Sequence, residues 1–561
     1  MTALLTENMP LLAGAPNGIK KLRELILELA VRGKLVPQDP EDLSARTALD
    51  ASRAERAKAM LEGKIKKEKP AMEVADSEQP FELPDGWAWC RIVDTGDYIN
   101  GLAFKPSDWS SVGRPIIRIQ NLSGRNAEFN RTEREVDASV VVEPGDILVS
   151  WSATLDAYIW RGEQGVLNQH IFRVTPSNIV SAQYLYWLLK WAIKVLADSD
   201  HAHGLVMAHI NRGPFLAQPI GLPPLTEQNK IVVKIDELMA LCDRLEGQQV
   251  DAESAHTQLV QVLLDSLTQV RDAEEFAQSW QRLAEHFHPL FSTESSIDAL
   301  KQTLLQLAVM GKLVPQVPSD EPASELLKRI AEEKARLVAD GKIKKQKPLG
   351  EIAVSDIPFD VPDSWAWSRI GEIALNTEYG LSEKTFDLQD GVPVLKMGDI
   401  QEGKVLLGGQ MAVSKSTEGL PELYLEPEDL LYNRTNSAEL VGKTGIFLGQ
   451  AGKYSFASYL IRIRCLKELF SPLYLNTSMN APGFRETQIN PHLKQQCGQA
   501  NVNGTIMKNM LVSVPPLAEQ HRIVAKVDEL MALCDQLKAR LNQARQVHEQ
   551  LANALVEQAV A

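Results

Sequence analysis

Residues Pro223 to Leu245 read PPLTEQNKIVVKIDELMALCDRL, and residues Pro515 to Leu537 read PPLAEQHRIVAKVDELMALCDQL. In the second copy Ile523, Val527, Leu530, Cys534, Leu537 and Leu541 recur in alternating steps of four and three, and Ile231, Ile235, Leu238, Cys242 and Leu245 do so in the first. That spacing is a heptad seam, which predicts a helix whose apolar stripe must be covered by another helix. Pro-Pro-Leu stops any preceding strand, and Glu227 or Glu519 places an acid at the positive end of the helix dipole. One such helix in the middle of the chain and one near its end predict an antiparallel coiled coil of segments about 25–30 residues long, roughly 40 Å at 1.5 Å per residue.

Working outward, other phrases also occur twice. LELAVRGKLVPQ (Leu27 to Gln38) returns as LQLAVMGKLVPQ (Leu305 to Gln316), GKIKKEKP at Gly63 as GKIKKQKP at Gly341, and PFELPDGWAWCRI at Pro80 as PFDVPDSWAWSRI at Pro358. Leucines at helical spacing predict helices over 19–31 and 297–309, with Gly33 and Gly311 as C-terminal caps and Pro37 and Pro315 preventing continuation. Amphipathic helices follow over about 44–61 and 323–338. Each ends at a lysine-rich turn, Lys64, Lys66 and Lys67 or Lys342, Lys344 and Lys345, which is either a phosphate contact or a solvated basic turn.

Between these anchors the halves are nearly unrelated. The expected segments are a helical region over 1–86, an insert over 87–222, a central helical region over 223–364, a second insert over 365–514 and a final helix over 515–561. The whole is α+β, with two mixed α/β domains on a pseudo-twofold helical frame. A chain of 561 residues exceeds one core. The net charge of −14 sits mostly in the frame, because each insert is near neutral at about −1. No apolar run is long enough for a bilayer and the start lacks a signal-peptide pattern, so a cytoplasmic protein with no membrane partner is expected. Five scattered cysteines show no CxxC spacing, and the pairs His201/His203 and His286/His288 lack a zinc-like set around them. No metal is expected.

The inserts are strand-rich, with predicted strands at 115–119, 147–151, 392–397 and 430–432. RPIIRIQNL from Arg114 aligns with VPVLKMGDI from Val392, EPGDILVSWSA from Glu143 with EPEDLLYNRTN from Glu426, and NQHIFRV from Asn168 with SYLIRIR from Ser458. Side chains at these strand ends suit base edges, where arginine pairs with guanine and asparagine or glutamine with adenine. The candidates are Arg118, Asn121, Ser150, Trp151, Ser152, Gln169 and His170 in the first insert. Those in the second are Lys396, Asp399, Tyr432, Asn433, Arg434 and Asn436. No catalytic signature is intact. Gly442-Lys443-Thr444 lacks the earlier glycine of a phosphate loop, with Ser437 in its place, and Asn490-Pro491-His492 lacks the second proline and aromatic of an amino-methyltransferase motif.

The repeated phrases resemble the specificity subunit (HsdS) of type I restriction-modification systems, in one of its longer subfamilies, over nearly the whole chain. The resemblance implies two target-recognition domains, each reading one half of a bipartite double-stranded DNA site. It implies helices that set the gap between halves and dock two methyltransferase subunits (HsdM), with a restriction and translocase subunit (HsdR) joining that core. S-adenosylmethionine and ATP with magnesium then belong to the partners, and this chain is non-catalytic and binds no cofactor. The alternatives are an orphan DNA-binding scaffold subunit without a modification partner and a free-standing nuclease or methyltransferase. A helix of the predicted length also approaches the roughly 34–36 Å of one DNA turn.

Overall fold

Four helices carry the frame: α1 (Gly18–Val31), α2 (Leu225–Thr268), α3 (Glu294–Val309) and α4 (Leu517–Val560). A computed structural model describes residues 2–62, 72–197, 202–203, 209–496 and 499–560. It divides into two units, Met1–Asp251 with Arg545–Ala561, and Ala252–Ala544. The units cut across the five segments read from sequence, because α2 and α4 each supply their start to one unit and their end to the other.

Both long helices have 44 residues, well beyond the 25–30 expected. The heptad seam covers only their first halves, and beyond it a few residues such as Val260, Leu264 and Ala552 join other cores. In the first unit α1 shares one core with Ile231, Ile235 and Cys242 of α2 and with Ala552 and Ala559 of α4. Arg23 pairs with Asp243 at 2.5 Å and Glu246 at 2.8 Å, while Lys21 pairs with Glu549 at 3.0 Å and Lys34 donates to the carbonyl of Val560 at 2.8 Å. The start of α2 therefore runs antiparallel to α1, and the end of α4 runs parallel to it. The second unit repeats this. Lys301 pairs with Asp535 at 2.6 Å, and Lys312 donates to the carbonyl of Thr268 at 2.8 Å. Lys34 and Lys312 hold the same place in the GKLVPQ repeat. Each binds a last carbonyl of the other repeat's long helix, where the helix dipole favours a cation. So α1 and α3 are the helices that cover the two seams, and the seam is not left exposed.

The expected caps are present: Gly33 and Gly311 have φ of 67° and 72°, the left-handed region that favours glycine. A Cβ at Gly33 would also meet Pro84 at 2.4 Å. The helices over Ala45–Leu61 and Ala323–Ala339 follow as predicted. The first lysine-rich turn, 63–67, lies outside the described residues. In the second, Lys342, Lys344 and Lys345 are exposed.

Each insert leaves and rejoins the frame through one two-stranded antiparallel ladder, Ala88–Arg91 with Pro219–Leu222 and Ala366–Arg369 with Leu511–Val514. Beyond the first ladder lies a four-stranded sheet ordered 96–100, 171–176, 147–150, 156–159. Beside it is a second sheet in which Arg114–Ile117 pairs in parallel with Gly165–Leu167. The second domain keeps this plan: Ala374–Tyr379, Leu460–Cys465, Leu430–Asn433 and Thr444–Ile446 are adjacent strands of a six-stranded sheet. Val392–Leu395 pairs in parallel with Ser455–Phe456.

Three repeated phrases that lie far apart in sequence meet where the ladder joins the long helix. Buried Glu519 accepts from Trp365 Nε1 at 3.1 Å and Gln316 Nε2 at 2.6 Å. Glu227 accepts from Trp87 Nε1 at 3.0 Å and Gln38 Nε2 at 3.2 Å. Burial raises both carboxyls, Glu519 to about 6. A carboxyl raised on folding binds more protons in the native state between its unfolded value, near 4.5, and about 6. Its contribution is therefore present below about pH 4.5 and is lost as pH rises through 6. The expected result is that wild type loses on the order of 2 kcal/mol relative to Glu519→Gln across that window. Urea denaturation at a series of pH values measures it. Parallel profiles for the two proteins would contradict it.

Candidate nucleic-acid interface

Strand ends converge at one edge of each insert. In the first, Gln169 N donates to Leu102 O at 2.8 Å, Asn168 N to Ile117 O at 3.1 Å, and Trp151 N to His170 O at 3.2 Å. In the second, Ser458 N donates to Leu381 O at 2.8 Å, Ala457 N to Leu395 O at 2.9 Å, and Arg434 N to Tyr459 O at 3.0 Å. These are the same three bonds. They equate Asn168 with Ala457, Gln169 with Ser458 and His170 with Tyr459. The sequence alignment of NQHIFRV with SYLIRIR was therefore one residue out of register, and the strand pairing agrees: Ser150 faces Ile171 where Asn433 faces Leu460.

Four positions with the same backbone setting now carry unlike side chains. Asn100 corresponds to Tyr379, since each ends its strand against the same partner position, Phe172 or Ile461. Arg118 corresponds to Lys396, Trp151 to Arg434, and His170 to Tyr459. In the first domain Trp151 Nε1 donates to Asn100 Oδ1 at 3.2 Å, and its ring meets His170 edge-on at 4.7 Å. Arg118 lies over the ring of the exposed Trp109 at 5.4 Å. In the second domain Arg434 lies over Tyr379 at 5.0 Å, and Lys396 Nζ donates to Thr385 Oγ1 at 2.8 Å. Tyr379 and Tyr459 are about half exposed. A cation or ring partly exposed beside hydrogen-bonding groups is suited to stacking on bases and binding their edges.

The sequence candidates separate by environment. Arg118, Trp151, Ser152, Gln169, His170, Lys396, Arg434 and Asn436 reach the surface at these strand ends or beside them. Five are buried or held in hydrogen bonds within the domain. Ser150 is buried and its hydroxyl is bonded to the carbonyls of Thr154 and Asp156. Asn121 accepts from Arg118 N at 3.1 Å and donates to Asn126 O and Glu128 O. Asp399 likewise accepts from Lys396 N at 2.6 Å and Gln410 Nε2 at 3.1 Å. Both brace the turn that follows their strand. Tyr432 and Asn433 are buried in the central strand. A side chain that points inward along the pleat cannot reach a base edge. Asn100, Tyr379 and Tyr459, not among the sequence candidates, lie at the same strand ends. A usable signal existed in the aligned Gly-Leu pairs, Gly101-Leu102 and Gly380-Leu381. A Cβ on either glycine would lie within about 2.2 Å of a carbonyl across the sheet, which pins the residue before it.

Among the described residues no group of histidine, cysteine, aspartate and glutamate could hold a metal, and no helix is long and apolar enough to cross a membrane. Cys90, Cys242, Cys465 and Cys534 are buried thiols. Cys497, Lys64, Lys66, Lys67 and His201 lie outside the described residues.

A family described as "Type I restriction modification DNA specificity domain" matches twice, over residues 84–253 and 362–545. The chain is 35% identical to the type I restriction enzyme EcoEI specificity subunit of Escherichia coli, over 97% of this chain and 94% of that one. It is 37% identical to the EcoAI specificity subunit of the same organism, with the same coverage of each chain. In fold it resembles a solved chain from work on complex assembly and conformational transition of the type I R-M system. The TM-score is 0.50 at 15% identity, covering 86% of this chain and 99% of that one.

Proposed function

The chain belongs to the family of type I restriction-modification DNA specificity subunits, and from that premise we propose that its two recognition domains read the two halves of a bipartite duplex site through the strand-end positions described above. It is a non-catalytic recognition subunit that works within a complex. The observation that carries the reading is that one backbone arrangement, held by the same three hydrogen bonds, presents different side chains in each domain. One scaffold with two sets of readers matches two unlike half-sites.

In the first domain the readers are Arg118, Trp151, Ser152, Gln169 and His170, with Asn100. In the second they are Lys396, Arg434 and Asn436, with Tyr459. Two methyltransferase subunits dock on the pseudo-twofold helical frame, a closed arrangement for identical partners around a repeated chain, and a restriction and translocase subunit joins them. S-adenosylmethionine and ATP with magnesium act in those partners. The long helices set the gap.

Co-expression with the methyltransferase partner and genome-wide mapping of methylated sites tests the reading. A bipartite motif is expected, and exchange of residues 365–514 for those of a relative should change one half only. A continuous motif, or change in both halves, would refute it. Arg434→Ala should relax one base pair of one half-site by about 1–3 kcal/mol. Competition binding against single-position variants of the site measures this, and unchanged discrimination throughout would remove Arg434 from the readers.

A further inference from the structure

Resting on the reading above, we infer that Tyr379 is a positioning residue for Arg434, so that the second domain's choice of base resides in this pair and not in the arginine alone. The phenol hydroxyl accepts a hydrogen bond from Gly504 N at 2.8 Å. A Cβ at Gly504 would itself lie 2.8 Å from that oxygen, so only glycine admits the phenol there without displacement. The ring, fixed at its far end, carries the Arg434 guanidinium 5.0 Å from its centroid. The backbone of Arg434 is held on both sides: its N–H donates to Tyr459 O at 3.0 Å and its carbonyl accepts from Val502 N at 2.9 Å. Its Nε donates to Thr435 Oγ1 at 3.3 Å, and its terminal nitrogens have no hydrogen-bond partner among the described residues.

A guanidinium with both terminal nitrogens available is the fork that matches guanine O6 and N7. An arginine whose backbone, Nε and charged face are already held loses less freedom on meeting that base than a mobile one does. The first domain gives independent support. The equivalent positions, Asn100 and Trp151, are also in direct contact, through a 3.2 Å hydrogen bond in place of a cation–π contact. The coupling of these two positions thus persists while the chemistry changes. The ligand class assigned to the second domain is a G·C pair read from its major-groove edge.

The test uses the full chain in complex with its methyltransferase subunit and duplexes varied at each position of the wild-type site. Arg434→Ala should abolish preference at one G·C pair of the second half-site. Tyr379→Leu should weaken preference at that same pair by roughly three- to tenfold and leave the first half-site unchanged. Tyr379→Phe, which keeps a ring beneath the guanidinium but loses the bond from Gly504, should fall between wild type and Tyr379→Leu. Tyr379→Leu/Arg434→Ala should be no worse than Arg434→Ala. Unchanged discrimination in Tyr379→Leu, additive losses in the double variant, or a loss in Tyr379→Phe as large as in Tyr379→Leu would overturn the positioning role. If the wild-type complex has no bipartite preference, the functional reading fails and this inference with it. If wild type is bipartite and only Tyr379→Leu is silent, the inference alone fails.

Discussion

Asp429→Ala is expected to cost the second unit about 3 kcal/mol, because it removes the fully buried carboxylate that holds the part-buried Arg464 and lies beside the buried Arg462. Asp429 is fully buried. Its oxygens accept from Arg464 Nε at 2.6 Å and Nη2 at 2.5 Å, and from Glu426 N at 2.9 Å. Arg462, with a side chain 2% exposed, lies 3.9 Å away and also pairs with Glu378. Burial already lowers the Arg462 guanidinium to about 10, so removing an anion beside it is the unfavourable direction. The first unit supplies the control. Asp146, in the same place of the shared Glu-Pro-x-Asp turn, pairs with Arg173 at 2.8 Å, but both side chains are 20% exposed. Water can replace that pair, and Asp146→Ala should cost only about 1 kcal/mol. Denaturation monitored by hydrogen exchange separates the units. Equal losses would show that burial is not what decides the cost.

The second large effect is expected at the node of repeated phrases. Glu519→Ala leaves the buried Trp365 indole N–H without its acceptor, whereas the Gln316 amide sits on an exposed residue and can turn to water. The stranded donor costs about 1–3 kcal/mol. Trp365→Phe, which removes that donor and keeps a ring, should cost less. The difference should be local as well as smaller. Exchange should quicken in the ladder of 366–369 with 511–514, because Glu519 ties that ladder's tryptophan to the helix. If Glu519→Ala loosens the whole unit uniformly, the carboxylate is not a latch. Glu227→Ala should reproduce the pattern in the ladder of 88–91 with 219–222.

Much of this architecture was legible because repetition supplied an internal comparison. The heptad seam, the capping glycines Gly33 and Gly311 and the family itself follow from the repeated phrases, while the first strands of each insert, Ala88–Arg91 and Ala366–Arg369, were not foreseen. Periodicity says little about what lies across from a stripe, so the cover provided by α1 and α3 was not foreseen. The length of α2 was underestimated for a related reason. After Leu245 the sequence turns polar, and Val260, Leu264 and Leu267 become buried only through elements of the second unit. At the candidate interface, the sequence pointed to strand ends that reach the surface but did not separate their exposed faces from their buried ones. Tyr432 and Asn433 sit two and one places before Arg434, and a pleat separates a side chain that reaches the surface from a buried neighbour by a single residue. The one-residue slip in the third aligned block had the same origin. His170 has φ of 70°, and a local turn of the backbone at such a position is invisible to an alignment of side chains.

The exchange of helix ends has a consequence for how the protein is made. The second unit is one continuous stretch, 252–544, whereas the first needs Arg545–Ala561 to finish its core. Residues at the front of the chain must therefore wait for the last turns of α4, a delay of roughly 15–60 s at about 5–20 residues per second of synthesis. During that interval the stripe that receives Ala552 and Ala559 stays partly uncovered. The unit begun first is completed last, and the nascent chain presents an apolar surface to ribosome-associated chaperones until Lys34 meets the terminal carbonyl of α4.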